Sequence, residues 1–476
     1  MSTSIHIALA ASALLSAIVF CTFSGARADK LSPDAVTIQV YPDSNSGQIS
    51  PDFIGLGYET SAAAQTDFFS AKNVKMIQLY RNLSHRGLIR IGGNVSDHTV
   101  YVPNGASTPN SEGGVTIINN KSLVDLGDFA RATGWKVMWG LNSGTGTKEE
   151  AAVEAAAVSS ALQDRLQSFQ IGNEVDLHRE FGGKYDAYYS SYRDYKAALR
   201  TALPDAPISG PDCAHDIDWA AQFAKDEGSD IKLLTCHYYR GGAGSKEANL
   251  ATLLKNDDSL DADLSTLNIV SQTSGVPYRI NETNSYWGGG QLGVSDTFGS
   301  ALWCLDYMFK LASNGCSGVN IETDINQLGF ISHYSPIVHD DAGNCSVQPD
   351  YYAMLAFAMS GQGNLIKVDL TKDDINLTSY ASSDDSGSIW VTVINKDLSR
   401  DAKVNVTLPD GYRSGKAYWL TAPSVGSLDD VTLAGSEVND SGTWSPKSIE
   451  NLKIENGSTS VLVAHASAVL LHLSGR

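Results

Sequence analysis

The sequence predicts a (β/α)8 barrel, the TIM-barrel class, followed by a C-terminal antiparallel β-sandwich. From about residue 54 to residue 359, short apolar runs alternate with stretches of helical period. The runs are almost continuously apolar, as in parallel strands that are covered on both faces. After about Gly363, alternating strands are separated by Gly, Asp, Ser and Pro turns. An open doubly wound sheet would give the same alternation, but eight apolar runs with polar strand ends favour a closed barrel.

The eight strands of the barrel are predicted from these apolar runs. They are residues 54–57, 88–92, 136–141, 166–171, 207–210, 232–237, 277–280 and 318–321. Helices are predicted where apolar residues recur at three- and four-residue spacing. The clearest of these stretches are residues 73–83, 148–162, 185–202 and 298–312.

The second domain is predicted from strand-like segments near the carboxyl end of the chain. These segments are residues 376–381, 388–395, 402–408, 417–420 and 460–464. Residues 36–41 also resemble a strand but precede the barrel and have no helix after them, so we expect them to pair with the C-terminal sheet. The predicted organisation is a signal peptide (1–28), an N-terminal strand segment (29–50), a catalytic barrel (51–362) and a β-sandwich (363–476).

The amino-terminal segment is typical of a secretory signal peptide. Residues 5–23 are apolar, and Ala26-Arg27-Ala28 fits a small-x-small cleavage site. The segment has no Lys or Arg ahead of the apolar run, which leaves a membrane anchor as the alternative. We expect a secreted or periplasmic protein with no membrane association after the signal is removed.

Composition excludes some partners. Apolar residues make up 42% of the chain and charged residues 18%, as in ordinary folded proteins. The formal net charge is −19, from 34 basic and 53 acidic residues. Such an acidic surface repels nucleic acid and anionic membranes. It also disfavours a long polyanionic glycan unless the cleft is locally basic.

Cysteine and histidine usage predicts no metal or cofactor. Five cysteines follow the signal segment, and Cys213 and Cys236 lie in apolar runs where small core residues are expected. Cys316 and Cys345 are the one pair that is expected to be able to form a disulfide. The chain contains neither a His-Glu-x-x-His motif nor paired Cys-x-x-Cys motifs.

Polar side chains close nearly every barrel strand, and these ends should converge where barrels place their active sites. The residues concerned are Glu59, Asn94, Asn142, Asn173, Glu174, Asp212, His237, Tyr239, Glu282, Asn320 and Glu322. Glu174 follows the fourth strand and Glu282 the seventh. Two convergent carboxylates can cleave a glycosidic bond, one by protonating the leaving oxygen and the other by attacking the sugar or stabilising its cation.

Several neighbouring motifs carry a family resemblance. They are Gly57-Tyr58-Glu59-Thr60, Arg90-Ile91-Gly92-Gly93-Asn94, Ile171-Gly172-Asn173-Glu174, His237-Tyr238-Tyr239, the run from Glu282-Thr283-Asn284-Ser285 through Gly288-Gly289-Gly290 to Ser295-Asp296-Thr297-Phe298, and Tyr334-Ser335-Pro336. In these motifs the chain resembles glycoside hydrolase family 79, the β-glucuronidases and heparanase. That family lies in the superfamily with catalytic glutamates on barrel strands four and seven.

The resemblance implies a retaining mechanism with the two carboxyl groups about 5–5.5 Å apart. Glu174 would be the acid/base and Glu282 the nucleophile, and Tyr239 would orient Glu282. Asn94 and Asn173 would hold sugar hydroxyls.

The resemblance also implies a site for the carboxylate of a uronic acid. Tyr334 and backbone N–H groups near Gly288 and Gly289 would bind it, with Glu59 nearby. Family members often have a glycine shortly before this tyrosine, whereas Ser332-His333 stands here.

The leading hypothesis is an exported, retaining, exo-acting β-glucuronidase that acts on a glucuronate-containing glycan or glycoside. One alternative is an endo-acting, heparanase-like hydrolase of a glucuronate-containing polysaccharide. Another is a non-catalytic carbohydrate-binding protein on the same fold. The acidic charge and the lack of a basic run beside the cleft favour the exo-acting enzyme.

Overall fold

Two sheets organise the fold, one parallel and one mainly antiparallel. The computed structural model describes residues 32–110, 114–323, 332–340, 344–384 and 386–475. The predicted signal peptide lies outside these ranges. Within them, no helix has the length and apolar character that crossing a membrane requires.

In chain order, the strands of the described ranges are β1 (Asp34–Gln48), β2 (Ile54–Glu59), β3 (Leu88–Gly92), β4 (Thr99–Tyr101), β5 (Thr116–Ile118), β6 (Lys136–Leu141), β7 (Leu166–Ile171), β8 (Gly210–Cys213), β9 (Leu234–Gly242), β10 (Tyr278–Trp287), β11 (Val319–Glu322), β12 (Ile337–His339), β13 (Cys345–Val347), β14 (Asn364–Thr371), β15 (Leu377–Ser383), β16 (Ile389–Asn395), β17 (Ala402–Thr407), β18 (Ser414–Thr421), β19 (Thr432–Leu433), β20 (Glu450–Lys453), β21 (Ser458–Val463) and β22 (Ser467–Ser474). The α-helices are α1 (Thr60–Ala64), α2 (Val74–Leu83), α3 (Asn120–Thr133), α4 (Lys148–Leu162), α5 (Tyr185–Ala202), α6 (Ile217–Glu227), α7 (Leu250–Leu253), α8 (Asp258–Ser274), α9 (Phe298–Ser313) and α10 (Pro349–Ser360).

The first sheet is the barrel. Its strands follow the order β7-β6-β3-β2-β11-β10-β9-β8, and all of these pairings are parallel. Between β7 and the segment before β8, the Phe169 N–H donates to the Pro207 carbonyl at 2.8 Å and the Ser209 N–H to the Phe169 carbonyl at 2.9 Å. These bonds join the two ends of the sheet, so the predicted (β/α)8 class is confirmed.

The fifth barrel strand differs from its prediction. Residues 207–210 were expected, whereas β8 is Gly210–Cys213. Pro211 has no N–H to donate to a ladder and so favours the end of a strand there. The chain instead continues through Pro211, with a register shift against β9 between Pro211 and Cys213. This continuation places Asp212 inside the barrel.

Sequence signals define several of the helices that surround the barrel. In α4, Thr147 and Glu150 form a capping box in which each side chain accepts from the other's backbone N–H. In α3, Asn119 and Ser122 form the same motif. The helices predicted from periodicity are present as α2, α4, α5 and α9.

The second sheet has ten strands and contains both ends of the described chain. Its path is β19-β18-β22-β16-β15-β14-β1-β17-β21, with β20 paired to β18. Strand β1 is antiparallel to β14 and parallel to β17, so the sheet is not wholly antiparallel. Val391 and Leu471 share one core with Val404 and Val461 from the other end of the path. The sheet therefore folds over on itself like a sandwich.

All five cysteines of the described ranges are buried and free. The expected Cys316–Cys345 disulfide is therefore wrong. The Cys316 thiol lies 3.1 Å from the carbonyl oxygen of Gly318, just before β11, whereas Cys345 lies opposite His339 in the antiparallel pairing of β12 with β13. Burial raises the pKa of both thiols, which keeps them protonated.

Candidate active site

A close pair of carboxylates lies at the carboxyl ends of β7 and β10. An oxygen of Glu174, an oxygen of Glu282 and a ring nitrogen of His237 all lie within 4.8 Å of one another. The two carboxylate side chains are 21% and 12% exposed, so both can be reached from the barrel mouth. A separation this short is typical of retaining glycoside hydrolases, whereas inverting enzymes hold their two carboxyl groups about 6.5–9.5 Å apart.

Glu174 is presented by a tight turn after β7. Its backbone has φ 46° and ψ 46°, the left-handed conformation that non-glycine residues adopt mainly where the surroundings impose it. The Asp176 carboxylate accepts hydrogen bonds from the backbone N–H groups of Ala214 (2.7 Å) and Asp216 (3.0 Å). The turn that carries Glu174 is thus fastened to the loop after β8.

Glu282 lies between two hydrogen-bond donors. Its Oε2 accepts from Arg90 Nη1 at 2.5 Å and its Oε1 accepts from the Tyr239 hydroxyl at 2.9 Å. Burial alone raises the pKa of Glu282, but the positive charges of His237 and Arg90 outweigh it and hold the pKa below its usual value. The Glu282 carboxylate is therefore ionised, as a nucleophile must be.

His237 is a buried cation beside both glutamates. Its Nδ1 lies 3.2 Å from Glu174 Oε1 and 3.7 Å from Glu282 Oε2, and its Nε2 lies 3.2 Å from Asp212 Oδ1. Burial lowers the pKa of His237, but the charges of Glu282 and Asp212 raise the pKa well above its usual value. Glu174, His237 and Glu282 are close enough to share a cation, but a protonated ring has no lone pair to offer one.

The two predicted asparagines are held in contact with each other. Asn173 Nδ2 donates to Asn94 Oδ1 at 3.1 Å, and Asn173 Oδ1 accepts from Arg90 Nη2 at 2.6 Å. Arg90 thereby sets the orientation of the Asn173 amide. Asn94 is exposed at the mouth of the barrel, where it can meet a sugar hydroxyl.

Glu59 supports the turn that carries Asn94. Its carboxylate accepts from the backbone N–H groups of Asn94 (3.2 Å) and Val95 (2.8 Å), at the start of the 3₁₀ turn Asn94–His98. Gly93 has φ +71°, and a Cβ there would lie 2.1 Å from Glu59 Oε2, so only glycine allows this approach. The sequence predicted that Glu59 lies near the sugar site. It did not indicate that the Glu59 carboxylate also supports the turn that carries Asn94.

The glycine loop after β10 meets the segment that contains Tyr334. Gly288, Gly289 and Gly290 all have φ between +82° and +85°, and the His333 N–H donates to the Gly289 carbonyl at 2.6 Å. The Tyr334 ring is buried, with its centroid 6.4 Å from that of Tyr239. The structure therefore brings Tyr334 and the glycine loop together on the Glu282 side of the site.

Three residues of the site received no role from the sequence. Arg90, Asp212 and His237 stood in the motifs or at the strand ends, but only their contacts show that they surround the two glutamates. Arg90 was the one sequence signal for this group of charges. A charged residue within an otherwise apolar strand is expected to be buried and to need buried partners.

Comparison with known proteins identifies relatives of this chain. No family model matches it. Over 381 residues it is 24% identical to a β-glucuronidase from Aspergillus niger, a match that covers 71% of this chain and 68% of that protein. A heparanase from Gallus gallus is 24% identical over 371 residues, which are 65% of this chain and 69% of that protein. In sequence the chain is therefore similar to β-glucuronidases and heparanases.

A solved structure shares the fold of this chain. The crystal structure of a 4-O-α-L-rhamnosyl-β-D-glucuronidase from Fusarium oxysporum 12S superposes with a TM-score of 0.76 at 18% identity and covers 92% of this chain and 100% of that one. At this identity the similarity concerns the fold alone. The barrel with an added β-domain is thus shared with a solved glycosidase.

Proposed function

We propose that this protein is an exported, retaining, exo-acting β-glucuronidase that releases glucuronic acid from glycans or glycosides. The observation that carries the proposal is the Glu174–Glu282 pair, whose carboxylate oxygens lie within 4.8 Å beside a glycine loop and Tyr334. The β-glucuronidase from Aspergillus niger among its relatives supports the same substrate class. The apolar residues 5–23 support export.

In the first step, Glu282 attacks the anomeric carbon of the glucuronide while Glu174 donates a proton to the glycosidic oxygen. The bond from the anomeric carbon to a Glu282 oxygen forms, and the bond to the leaving oxygen breaks. Arg90 and Tyr239 keep the Glu282 carboxylate ionised and aimed at the sugar.

In the second step, Glu174 accepts a proton from water, which attacks the same carbon and releases Glu282. Two displacements at one carbon give net retention of configuration. Asn94 and Asn173 are placed to bind sugar hydroxyls, and their strongest contribution comes when charge develops on the ring.

The uronate carboxylate is assigned to the glycine loop and Tyr334. Backbone N–H groups of residues in left-handed conformations, such as Gly288 and Gly289, can form a small anion-binding concavity. The Tyr334 hydroxyl would add a neutral donor. Neutral donors bind a single carboxylate without creating the strongly basic cleft that would attract long polyanions.

Endo-acting cleavage is the second candidate, and the heparanase from Gallus gallus among the relatives supports it. Against it stands the acidic character of the chain, with a net charge of −19. Heparan sulfate is strongly anionic, so its binding would require a basic surface.

A product profile tests both candidates. The purified protein is incubated with p-nitrophenyl β-D-glucuronide, with a heparan chain and with a hyaluronan chain, and the products are separated by size. We expect p-nitrophenol and free glucuronic acid alone. Mixed oligosaccharides would establish endo action, and binding without products would favour a carbohydrate-binding protein. Hydrolysis of p-nitrophenyl β-D-glucoside at an equal rate would refute recognition of the carboxylate.

A further inference from the structure

We propose that Asp212 is a positioning residue of this site, which holds Arg90 and His237 against the two glutamates without touching the sugar. The inference rests on the proposed function only in the roles of Glu174 and Glu282. The contacts of Asp212 stand independently of those roles.

Asp212 lies in β8, beneath the carboxylate pair. It is 1% exposed, and its backbone has φ +69°, a left-handed conformation that a non-glycine residue rarely adopts. A buried carboxylate in a strained backbone persists only where surrounding contacts hold it. Such a residue therefore requires an explanation beyond packing.

Four polar groups surround the Asp212 carboxylate. Oδ2 accepts from Arg90 Nη2 at 2.9 Å. Oδ1 accepts from the side-chain amides of Gln170 and Asn281 and lies 3.2 Å from His237 Nε2. Both oxygens are thus occupied by protein donors, and the residue has no exposed surface with which to contact a substrate.

The two cations that meet at Asp212 each reach one of the paired glutamates. Arg90, which binds Asp212, also donates from Nη1 to Glu282 Oε2 at 2.5 Å. His237, which also contacts Asp212, has its Nδ1 3.2 Å from Glu174 Oε1. One buried carboxylate is therefore connected through one cation to the nucleophile and through the other to the acid/base.

Asp212 is the carboxylate of this group whose charge stays constant through the reaction. Glu282 loses its negative charge when it becomes a glycosyl ester, and Glu174 changes charge as it gives up and regains a proton. His237 faces Glu174, Glu282 and Asp212, and Arg90 faces Glu282 and Asp212. While the ester exists, Asp212 remains a charged carboxylate beside both cations.

Asp212→Asn tests the inference because it removes the charge and keeps the shape. We expect kcat on p-nitrophenyl β-D-glucuronide to fall about 10- to 100-fold while KM changes little, because the sugar does not touch Asp212. The alkaline limb of the kcat/KM profile should move about 1 to 3 pH units lower, because His237 loses its proton more easily and the neutral ring no longer holds Glu174 in place. Ser209→Ala, which removes a buried bond to Ser168 at 2.7 Å beside the same strand, should leave the profile unchanged.

A second measurement needs no substrate and separates this inference from the proposed function. The imidazole of His237 is titrated by NMR in the full chain, with its signal assigned by its disappearance in His237→Gln. We expect titration of His237 at lower pH in Asp212→Asn than in the wild type and in Ser209→Ala. An unchanged His237 titration in the folded variant would overturn the inference, even if the enzyme proves to be a glucuronidase. Failure of the wild type to cleave the glucuronide would overturn only the proposed function.

Asp212→Glu provides the test if the asparagine variant does not fold. It restores the charge but moves the carboxylate along by one methylene. We expect His237 to titrate close to its wild-type pH and kcat to recover in part. A folded Asp212→Glu variant in which His237 titrates at an ordinary histidine pH would contradict the role of the charge.

Discussion

At the scale of single residues, the reactivity of Glu282 depends on the two donors that bind its oxygens. Arg90 supplies a full positive charge from inside the barrel, and Tyr239 supplies a neutral hydroxyl from the neighbouring strand. In the proposed mechanism, the charge keeps Glu282 ionised and the hydroxyl fixes which oxygen faces the sugar. These contributions can be measured separately.

Glu282→Gln should abolish turnover, with a loss in kcat of more than about 10⁴-fold, because an amide cannot form the covalent intermediate. The amide oxygen can still accept a hydrogen bond, so the fold should persist. Activity on p-nitrophenyl β-D-glucuronide and a thermal unfolding curve check both points. Near wild-type activity in this variant would rule out Glu282 as the nucleophile.

Glu174→Ala should slow substrates with poor leaving groups by about 10²- to 10⁴-fold, because these need a proton on the departing oxygen. Activated aryl glycosides leave without that proton and should be affected far less in the first step. The comparison uses p-nitrophenyl and alkyl glucuronides side by side. Equal losses on both would contradict an acid role for Glu174.

Tyr239→Phe should reduce kcat/KM about 10- to 100-fold, because it removes a hydrogen bond to a charged oxygen. It should also move the acid limb of the pH profile upward, since the Tyr239 hydroxyl helps to lower the pKa of Glu282. Tyr307→Phe is the matched control, because that buried hydroxyl meets only the neutral Thr283 at 3.0 Å among its hydrogen bonds in the described residues. Identical pH profiles for Tyr239→Phe and the wild type would contradict the prediction.

The sequence identifies these residues better than it identifies their partners. Glu174 and Glu282 follow from their strand ends, and Tyr239 follows from the adjacent strand. The role of Arg90 does not follow, because its partners Asn173, Asp212 and Glu282 are far away along the chain. An apolar strand with one arginine indicates a buried charge, but only the barrel geometry shows where that charge points.

At the scale of elements, the turn after β7 is held by His178. Its Nε2 lies 2.7 Å from the Asn173 carbonyl and 3.1 Å from Asp97 Oδ2, and its Nδ1 lies 3.0 Å from Glu180 Oε1. Burial lowers the pKa of His178, but the hydrogen bond and charge of Asp97 outweigh it and raise the pKa to about 9. The turn that presents Glu174 is therefore fixed by a protonated imidazole.

The pKa of His178 predicts a stability term that depends on pH. Because the folded pKa is above the unfolded value, the stabilisation is fully present below about pH 6.5 and is lost as the pH rises through about 9. His178→Gln should thus cost about 1 kcal/mol at pH 6 and much less at pH 10. Denaturant unfolding at both pH values checks this, with exposed His215→Gln as the control. A cost that is equal at the two pH values would contradict the prediction.

Some helices and strands could be predicted from the sequence, and others could not. Helices α2, α4, α5 and α9 follow from apolar periodicity, which is a local property. The bounds of β8 do not, because the strand passes through Pro211 and pairs with β9, while the bridge that closes the barrel lies just before it, between Phe169 and Ile208. Strands β14 and β22 were not predicted, although each joins the second sheet.

At the scale of the whole molecule, a buried ion pair joins the barrel to the second sheet. Asp306 of α9 accepts from Lys396 at 2.5 Å, and also from the hydroxyls of Thr378 (2.6 Å) and Tyr380 (2.8 Å) in β15. The Asp306 and Lys396 side chains are 10% and 6% exposed. Burial raises the pKa of Asp306, but the Lys396 charge outweighs it and holds the pKa below its usual value.

Asp306→Ala should destabilise the protein by about 3–5 kcal/mol, because it leaves the Lys396 ammonium buried and unpaired. Asp369→Ala is the control, since its partner Lys367 is half exposed and the loss should be below about 1 kcal/mol. Denaturant unfolding of both variants measures the difference. Equal small losses would mean that Asp306 does not join the two sheets energetically.

The fold class could be predicted at this scale because eight apolar runs in sequence have few compact solutions. The folding of the second sheet into a sandwich could be predicted from its alternation. The parallel pairing of β1 with β17 could not, because nothing in residues 34–48 specifies which distant strand lies beside them.

The location of β1 has a consequence for biosynthesis. This strand leaves the ribosome early, yet both of its neighbours, β14 and β17, are translated only after the entire barrel. A nascent chain that stalls inside the barrel would carry β1 with two bare edges, which are ready to pair with another molecule. Completion of the β-domain therefore covers both edges of β1, and we expect chains that are cut short inside the barrel to aggregate rather than accumulate as free barrels.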